Sequence, residues 1–160
     1  MAAEAVPGSV AYDDNMRITF TAEADDGKSA ADLLTGVDLT YSLKAFTRTI
    51  TEAVIEDPRL TLNQNLQKRG KVTEVIEVQY VFGDDGDVAA ATLLAGVKGH
   101  LTVRYSLPNA TAWTAAQVAD YITIECGTQR KDAPVENGVQ TITQTLYVTA
   151  VTENDIAIAA

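Results

Sequence analysis

The sequence predicts a mainly β fold: two packed antiparallel sheets, a β-sandwich or partial barrel, with one flanking α-helix. Three observations support it. Segment after segment alternates apolar and polar residues with the period of two that a half-buried strand requires. Threonine, which suits half-exposed strand positions, fills many of the polar places. One run alone, Val88 to Val97, has the composition of a confident helix. With 160 residues, 46% of them hydrophobic and 21% charged, the chain suits one domain with its own core.

The framework runs from Lys71 to Leu107. Val72, Ile76, Val78, Tyr80 and Phe82 share one strand face, and Leu101, Val103, Tyr105 and Leu107 share another. Between them Asp85 or Asp87 can cap a helix, and Gly96 can close it in the left-handed conformation.

Before this unit, residues 1–15 read as an N-terminal arm, punctuated by Pro7, Gly8, Asp13 and Asp14. Met16 to Ala22 alternates and makes a first strand. Gly27-Lys28-Ser29 lacks the earlier glycine of a phosphate-binding loop, because position 22 is Ala. Ser29 and Asp32 instead form a capping box on one or two helical turns ending at Gly36. Val37, Leu39, Tyr41 and Leu43 predict the next strand. A hairpin near Lys44 would lead into Phe46, Arg48, Ile50 and Val54, opposite a small hydroxylic face of Thr47, Thr49 and Thr51.

Residues 56–70 form a connection longer than most, and they predict a projecting loop. It carries Asp57, Arg59, Leu60, Leu62, Leu66, Lys68 and Arg69. Three leucines need burial, each worth about 1.5–3 kcal/mol, either in a docking arm on another copy or on the chain's own domain. After the central unit, Trp113 is either an interface anchor or a residue that pins its loop to the core. Tyr121 to Cys126 and Val139 to Val151 predict two more strands, separated by a polar loop through Arg130, Lys131 and Asp132. The main domain is expected over residues 16–152. A C-terminal tail over 153–160, with Ile156 and Ile158, can add a strand to a neighbour.

A net charge of −10 argues against gripping nucleic acid, which requires concentrated Lys and Arg. The longest uncharged apolar run is half the ~20 residues that span a bilayer, and the N-terminus lacks a signal pattern. A soluble protein made in a cytoplasm is expected. Cys126 alternates with Ile122 and Ile124, as a buried apolar residue does. No catalytic, cofactor or metal site is expected: His100 is the single histidine, a dyad with Cys126 conflicts with the apolar setting of that cysteine, and Asp84, Asp85 and Asp87 suit helix capping better than Ca²⁺ binding.

The run GVDLTYSLKAFTRTITEAVIEDPRLTLNQNLQKRGKVTEVIEVQYVFGDDGD, then HLTVRYSLPNATAW and QRKDAPVENGVQTITQTLYVTAVTE, resembles the major tail tube proteins of long-tailed, non-contractile (siphovirus-type) bacteriophages. The resemblance implies two sheets flanked by a helix, a structural virion protein, and hexameric rings stacked into a tail tube that conducts DNA from capsid to host cell. Its implied partners are further copies of itself and other tail proteins such as tape measure, tail terminator and distal tail proteins. DNA would pass through the lumen without specific binding, repelled by acids if these face inward. Assembly would take place in the bacterial host cytoplasm. A virion decoration module without enzymatic activity is the alternative. Candidate contacts between subunits or rings are Asp57, Arg59, Leu60, Leu62, Leu66, Lys68, Arg69, Ile156 and Ile158.

Overall fold

A computed structural model describes residues 8–83 and 86–160. In order the elements are β1 (Met16–Ala22), α1 (Ala30–Thr35), β2 (Val37–Asp38), β3 (Leu43–Asp57), β4 (Leu66–Val81), α2 (Val88–Thr92), β5 (Lys98–Tyr105), β6 (Val118–Cys126), β7 (Arg130–Lys131), β8 (Thr141–Val148) and β9 (Glu153–Ala157). The strands join in the order β2-β1-β5-β6-β8-β4-β3, with β7 on β8 and β9 on β6, and every strand pair is antiparallel.

The mainly β antiparallel fold is as the sequence predicts, and its two layers turn out to be one sheet folded on itself. The corner is β6, whose start pairs with β9 and whose end pairs with β8 through Ile124, Glu125 and Cys126 only. The apolar faces of β1, β5 and β6 (Ile18, Phe20, Leu101, Val103, Ile122, Ile124) thereby meet those of β4 and β8 (Ile76, Val78, Tyr80, Ile142, Leu146) in one core.

The outer faces of the two layers differ. That of β1, β5 and β6 is covered. Leu33 of α1, Trp113, Ala119 and Ile158 form a second core over it, and the Trp113 indole N–H donates to Thr19 Oγ1 at 3.0 Å. Arg104 is 0% exposed there. Its guanidinium lies against the Trp113 ring and donates to the carbonyls of Pro108 and Thr111 and to Gln117 Oε1. Burial, then the nearby charge of Arg17, pushes the Arg104 pKa down. Trp113 is therefore a pin of its own domain.

Four boundaries differ from expectation. The strand over Val37 to Leu43 keeps two residues, because Asp38 accepts from the Thr40 backbone and hydroxyl and turns the chain, sending Leu39 into the core. There is no hairpin turn at Lys44, which is a bulge between Leu43 and Ala45 in the long strand β3. The loop at 56–70 is strand at both ends: β3 runs to Asp57, Pro58 follows with no amide to donate, and β4 starts at Leu66. The tail at 153–160 folds back on its own chain through β9, and Ala159 exchanges backbone bonds with Lys28 and Ala30.

Helix α1 has the expected cap, Ser29 Oγ accepting from the Asp32 amide. Helix α2 is shorter than Val88 to Val97, and Gly96 sits at φ +81 as expected. Its last carbonyls are taken by glutamines: Gln129 donates to Ala90 and Leu93, and buried Gln144 donates to Leu93 and Gly127. Asp87 precedes the helix but accepts from the Gly83 amide instead of capping it. Asp84 and Asp85 lie outside the described residues, so the acidic-turn expectation is described for Asp87 alone.

Candidate assembly ribbon and open sheet face

Strands β3 and β4 pair along their whole length, but β8 covers β4 only from Val75 to Val81. From Glu52 to Asp57 and from Leu66 to Val72 the two strands have only each other, and these residues are exposed except for partly buried Asp57 and Gly70. A two-stranded ribbon standing alone in water is marginal. This one also carries apolar residues outward: Val54, Ile55 and Val72 along its length, Leu66 near the tip, and Leu60 and Leu62 in the connection, with Leu60 fully exposed.

Seven of the nine candidate contact residues sit on this ribbon or its tip. Arg59 and Lys68 both reach Asp57 Oδ2, at 2.8 and 3.6 Å, so the structure gathers these three at the end of the hairpin, and Arg69 pairs with Glu52. The basic partners Arg59, Lys68 and Arg69 are too exposed for these pairs to hold the ribbon rigidly. The other two lie apart from it. Ile156 is partly buried on β9 and Ile158 is 2% exposed among Leu33, Trp113 and Ala119, so its side chain is committed to its own chain.

At the root of the ribbon stands a group that the alternating pattern gave no reason to single out. Arg48 donates to Glu74 Oε1 and Asp120 Oδ2, both at 2.7 Å, and to Asn154 Oδ1 at 3.1 Å, linking β3 to β4, β6 and β9. Burial by itself would lower its pKa, but the bonds to Glu74 and Asp120 and the charge of Glu74 outweigh it and raise the value. Thr152 donates to the second oxygen of Glu74. An open trough of about 700 Å³ lies beside this node, lined by Ile50, Val72, Val148 and Val151 among others.

The second surface is the outer face of β3, β4 and β8. Its cross-strand rows read Ala45–Gln79–Thr143, Thr47–Glu77–Thr145 and Thr49–Val75–Tyr147. Ile76 and Val78, which alternate with these residues on β4, are buried in the core, so the rows point the other way. Among the described residues no helix or strand packs on this face, and its hydroxyls meet water. At one end Asp132 accepts from Thr141, Thr143 and Gln79, bonds that hold its carboxyl below the usual range.

Neither arrangement resembles a reaction centre. His100 pairs across the strands with Thr123, while Cys126 belongs to the alternate face of β6 with Ile122 and Ile124, so imidazole and thiol point to opposite sides of the sheet. Burial, then the charge of Glu125, pushes the Cys126 thiol up to about 11, away from a nucleophilic thiolate. His100 stacks on Tyr121, and burial lowers its pKa.

A family model described as phage tail tube protein matches residues 4–160. No curated protein matches the chain in sequence. Three solved structures share the fold at low identity. The tail of an empty gene transfer agent particle, from helical refinement with C6 symmetry, aligns with a TM-score of 0.61 at 11% identity, covering 92% of this chain and 100% of the other. A chain of the native gene transfer agent virion aligns at 0.57 and 12% identity, covering 92% and 100%. A chain of the six-fold symmetrised anti-feeding prophage baseplate aligns at 0.57 and 10% identity, covering 96% of each.

Proposed function

We propose that this chain, which belongs to the phage tail tube protein family, builds the tube itself: six copies close a ring, rings stack, and DNA passes along the lumen from capsid to host cell. The protein is structural and not an enzyme. The observation that carries the assembly is the bare β3–β4 ribbon, which holds Leu60, Leu62 and Leu66 in water with no partner sheet. In the tube it docks on another copy, and a contact between two different patches repeats head to tail.

Ring closure has its own support. Strand β3 pairs on one side only, leaving a 15-residue edge of unsatisfied amides and carbonyls open to a neighbour. The layer ends on its other side at the two-residue strand β7. Joining these ends between copies makes one continuous sheet around a channel. The outer face of that layer, rich in threonine and open to water, then lines the lumen. Segment order favours the non-contractile, long-tailed type. The two end rings of such a head-to-tail stack would each expose one half of that contact, open to partners such as tape measure, terminator and distal tail proteins. The proposed location is the virion tail, after assembly in the host cytoplasm.

Electron microscopy of the purified protein at rising concentration tests this. Rings or tubes are expected, and a monomer under every condition, including in the presence of the other tail proteins, would overturn it.

A further inference from the structure

We infer that the channel wall is a nearly neutral lattice of hydroxyls and that Glu77, in the middle of it, is the carboxylate that keeps duplex DNA from settling there. This rests on the tube proposed above and assigns the electrostatic work within it. The chain as a whole is strongly acidic, at −10. Its open face is not. In the rows built by β3, β4 and β8, Glu77 is the charged residue, exposed and flanked across the strands by Thr47 and Thr145.

Toward the β7 end, Arg130 pairs with Thr143 and so joins the same face, and Asp132 is held onto it by Thr141, Thr143 and Gln79. The charge of Arg130 acts on Asp132. At the β6 end Glu125 pairs with Tyr147 and so joins the face too, but it is partly buried and stands opposite Lys98 of β5. That leaves Glu77 as the exposed carboxylate of the face with no cation paired beside it. Acids such as Asp13, Asp14, Glu23, Asp25, Asp26 and Asp38 lie instead in the arm, the turn after β1, and β2. Repulsion by inward-facing acids, which the sequence left conditional, thus falls mainly to Glu77 of each subunit.

Its placement explains how so little charge can act. Threonine hydroxyls can donate to phosphate oxygens, so a wall of hydroxyls alone would offer DNA weak, repeated attachments. A carboxylate in the central row repels phosphates before those bonds form. In a channel with low-dielectric walls the field of one such group per subunit is focused into the lumen. No Lys or Arg stands near the centre of the face to replace counterions, the step on which tight phosphate binding depends.

Two measurements on assembled tubes test the inference, with tube formation by the unsubstituted protein checked first by microscopy. In Glu77→Cys tubes, a small maleimide should label position 77 while a maleimide on a large polymer should not. In Asp25→Cys tubes both should react, and buried Cys126 should add no background. Polymer labelling of Glu77→Cys in intact tubes would overturn the assignment of the wall while leaving the tube standing, whereas absence of tubes from the unsubstituted protein would remove the tube itself.

For the charge, Glu77→Lys tubes should retain a short fluorescent duplex about tenfold more than unsubstituted tubes at low salt, with the difference lost at high salt. Asp25→Lys tubes should behave like unsubstituted ones. Where Glu77→Lys blocks assembly, Thr145→Lys places the same charge on the neighbouring strand of the same row. Retention that is unchanged by lysine on this row, or raised equally by Asp25→Lys, would overturn the role of Glu77.

Discussion

Arg48 Nη1 lies 2.7 Å from Asp120 Oδ2, and through this contact the root of the β3–β4 ribbon is tied to the corner strand β6. The same guanidinium holds Glu74 and Asn154, so one side chain fixes the ribbon to both layers of the folded sheet. Its two carboxylate partners are largely shielded, which makes the node far stronger than the exposed pairs at the tip. Arg48→Met leaves both carboxylates without their cation. The expected loss is about 2–3 kcal/mol in urea unfolding of the unassembled protein. Arg48→Lys should recover only part of it, because one ammonium cannot span three acceptors in that geometry.

Asp132 gives the fold an acid-side dependence. Hydrogen bonds from Thr141, Gln79 and Thr143 hold its folded pKa below the unfolded value, so between the two the unfolded chain binds the extra proton. Its contribution is present above the unfolded pKa and is lost as pH falls through the folded one. Unfolding curves below about pH 4 should therefore be less steep in pH for Asp132→Asn than for the unsubstituted protein. Equal slopes would show that the carboxylate does not titrate differently on folding.

Cys126 should be silent until the chain unfolds. It is 3% exposed, and burial carries its pKa to about 11. A disulfide-exchange reagent at pH 8 should label it no faster than global opening permits, with a rate that rises in step with urea. Labelling of the native monomer within seconds would mean that the β6–β8 corner opens locally.

What could be read from the sequence follows from what each strand faces. β1, β5 and β6, and the last half of β4, alternate between core and a second environment, and their patterns were plain. The distal ribbon was not, because exposure on both faces removes the apolar period, and residues 56–70 therefore read as a loop. Arg104 and Gln144 were missed for the opposite reason. Arg104 occupies a polar place in an alternating strand, yet α1, the Trp113 loop and the tail bury it, while Gln144 is a polar residue on the inward row of β8 between Ile142 and Leu146, where it accepts from the Tyr80 hydroxyl. One signal pointed there: Trp113 and the alternating tail residues Ile156 and Ile158 needed a surface to cover. The contact residues split the same way, since Leu60, Leu62 and Leu66 are open while Ile158 is spent on the chain's own second core.

The ribbon can be separated from the body without touching the core. Replacing residues 53–71 by Asn-Gly closes a two-residue hairpin on the Glu52–Val72 pair, using the turn that matches strand twist. Every residue of both core clusters lies outside the removed segment, as do Arg48 and Glu74. The circular dichroism of the monomer and its melting should therefore stay near those of the full chain. What disappears is the exposed apolar strip from Val54 to Leu66 and the outer part of the free β3 edge. Tube formation, followed by light scattering and microscopy, should be abolished. The milder substitution of Leu60, Leu62 and Leu66 by Ser keeps the ribbon's backbone and should weaken assembly in proportion to the apolar area removed, about 1.5–3 kcal/mol for each leucine that is fully buried. Tubes of normal length from the truncated chain would show that the ribbon is not an assembly element. Normal tubes from the serine variant with none from the truncation would place its contribution in the backbone edge.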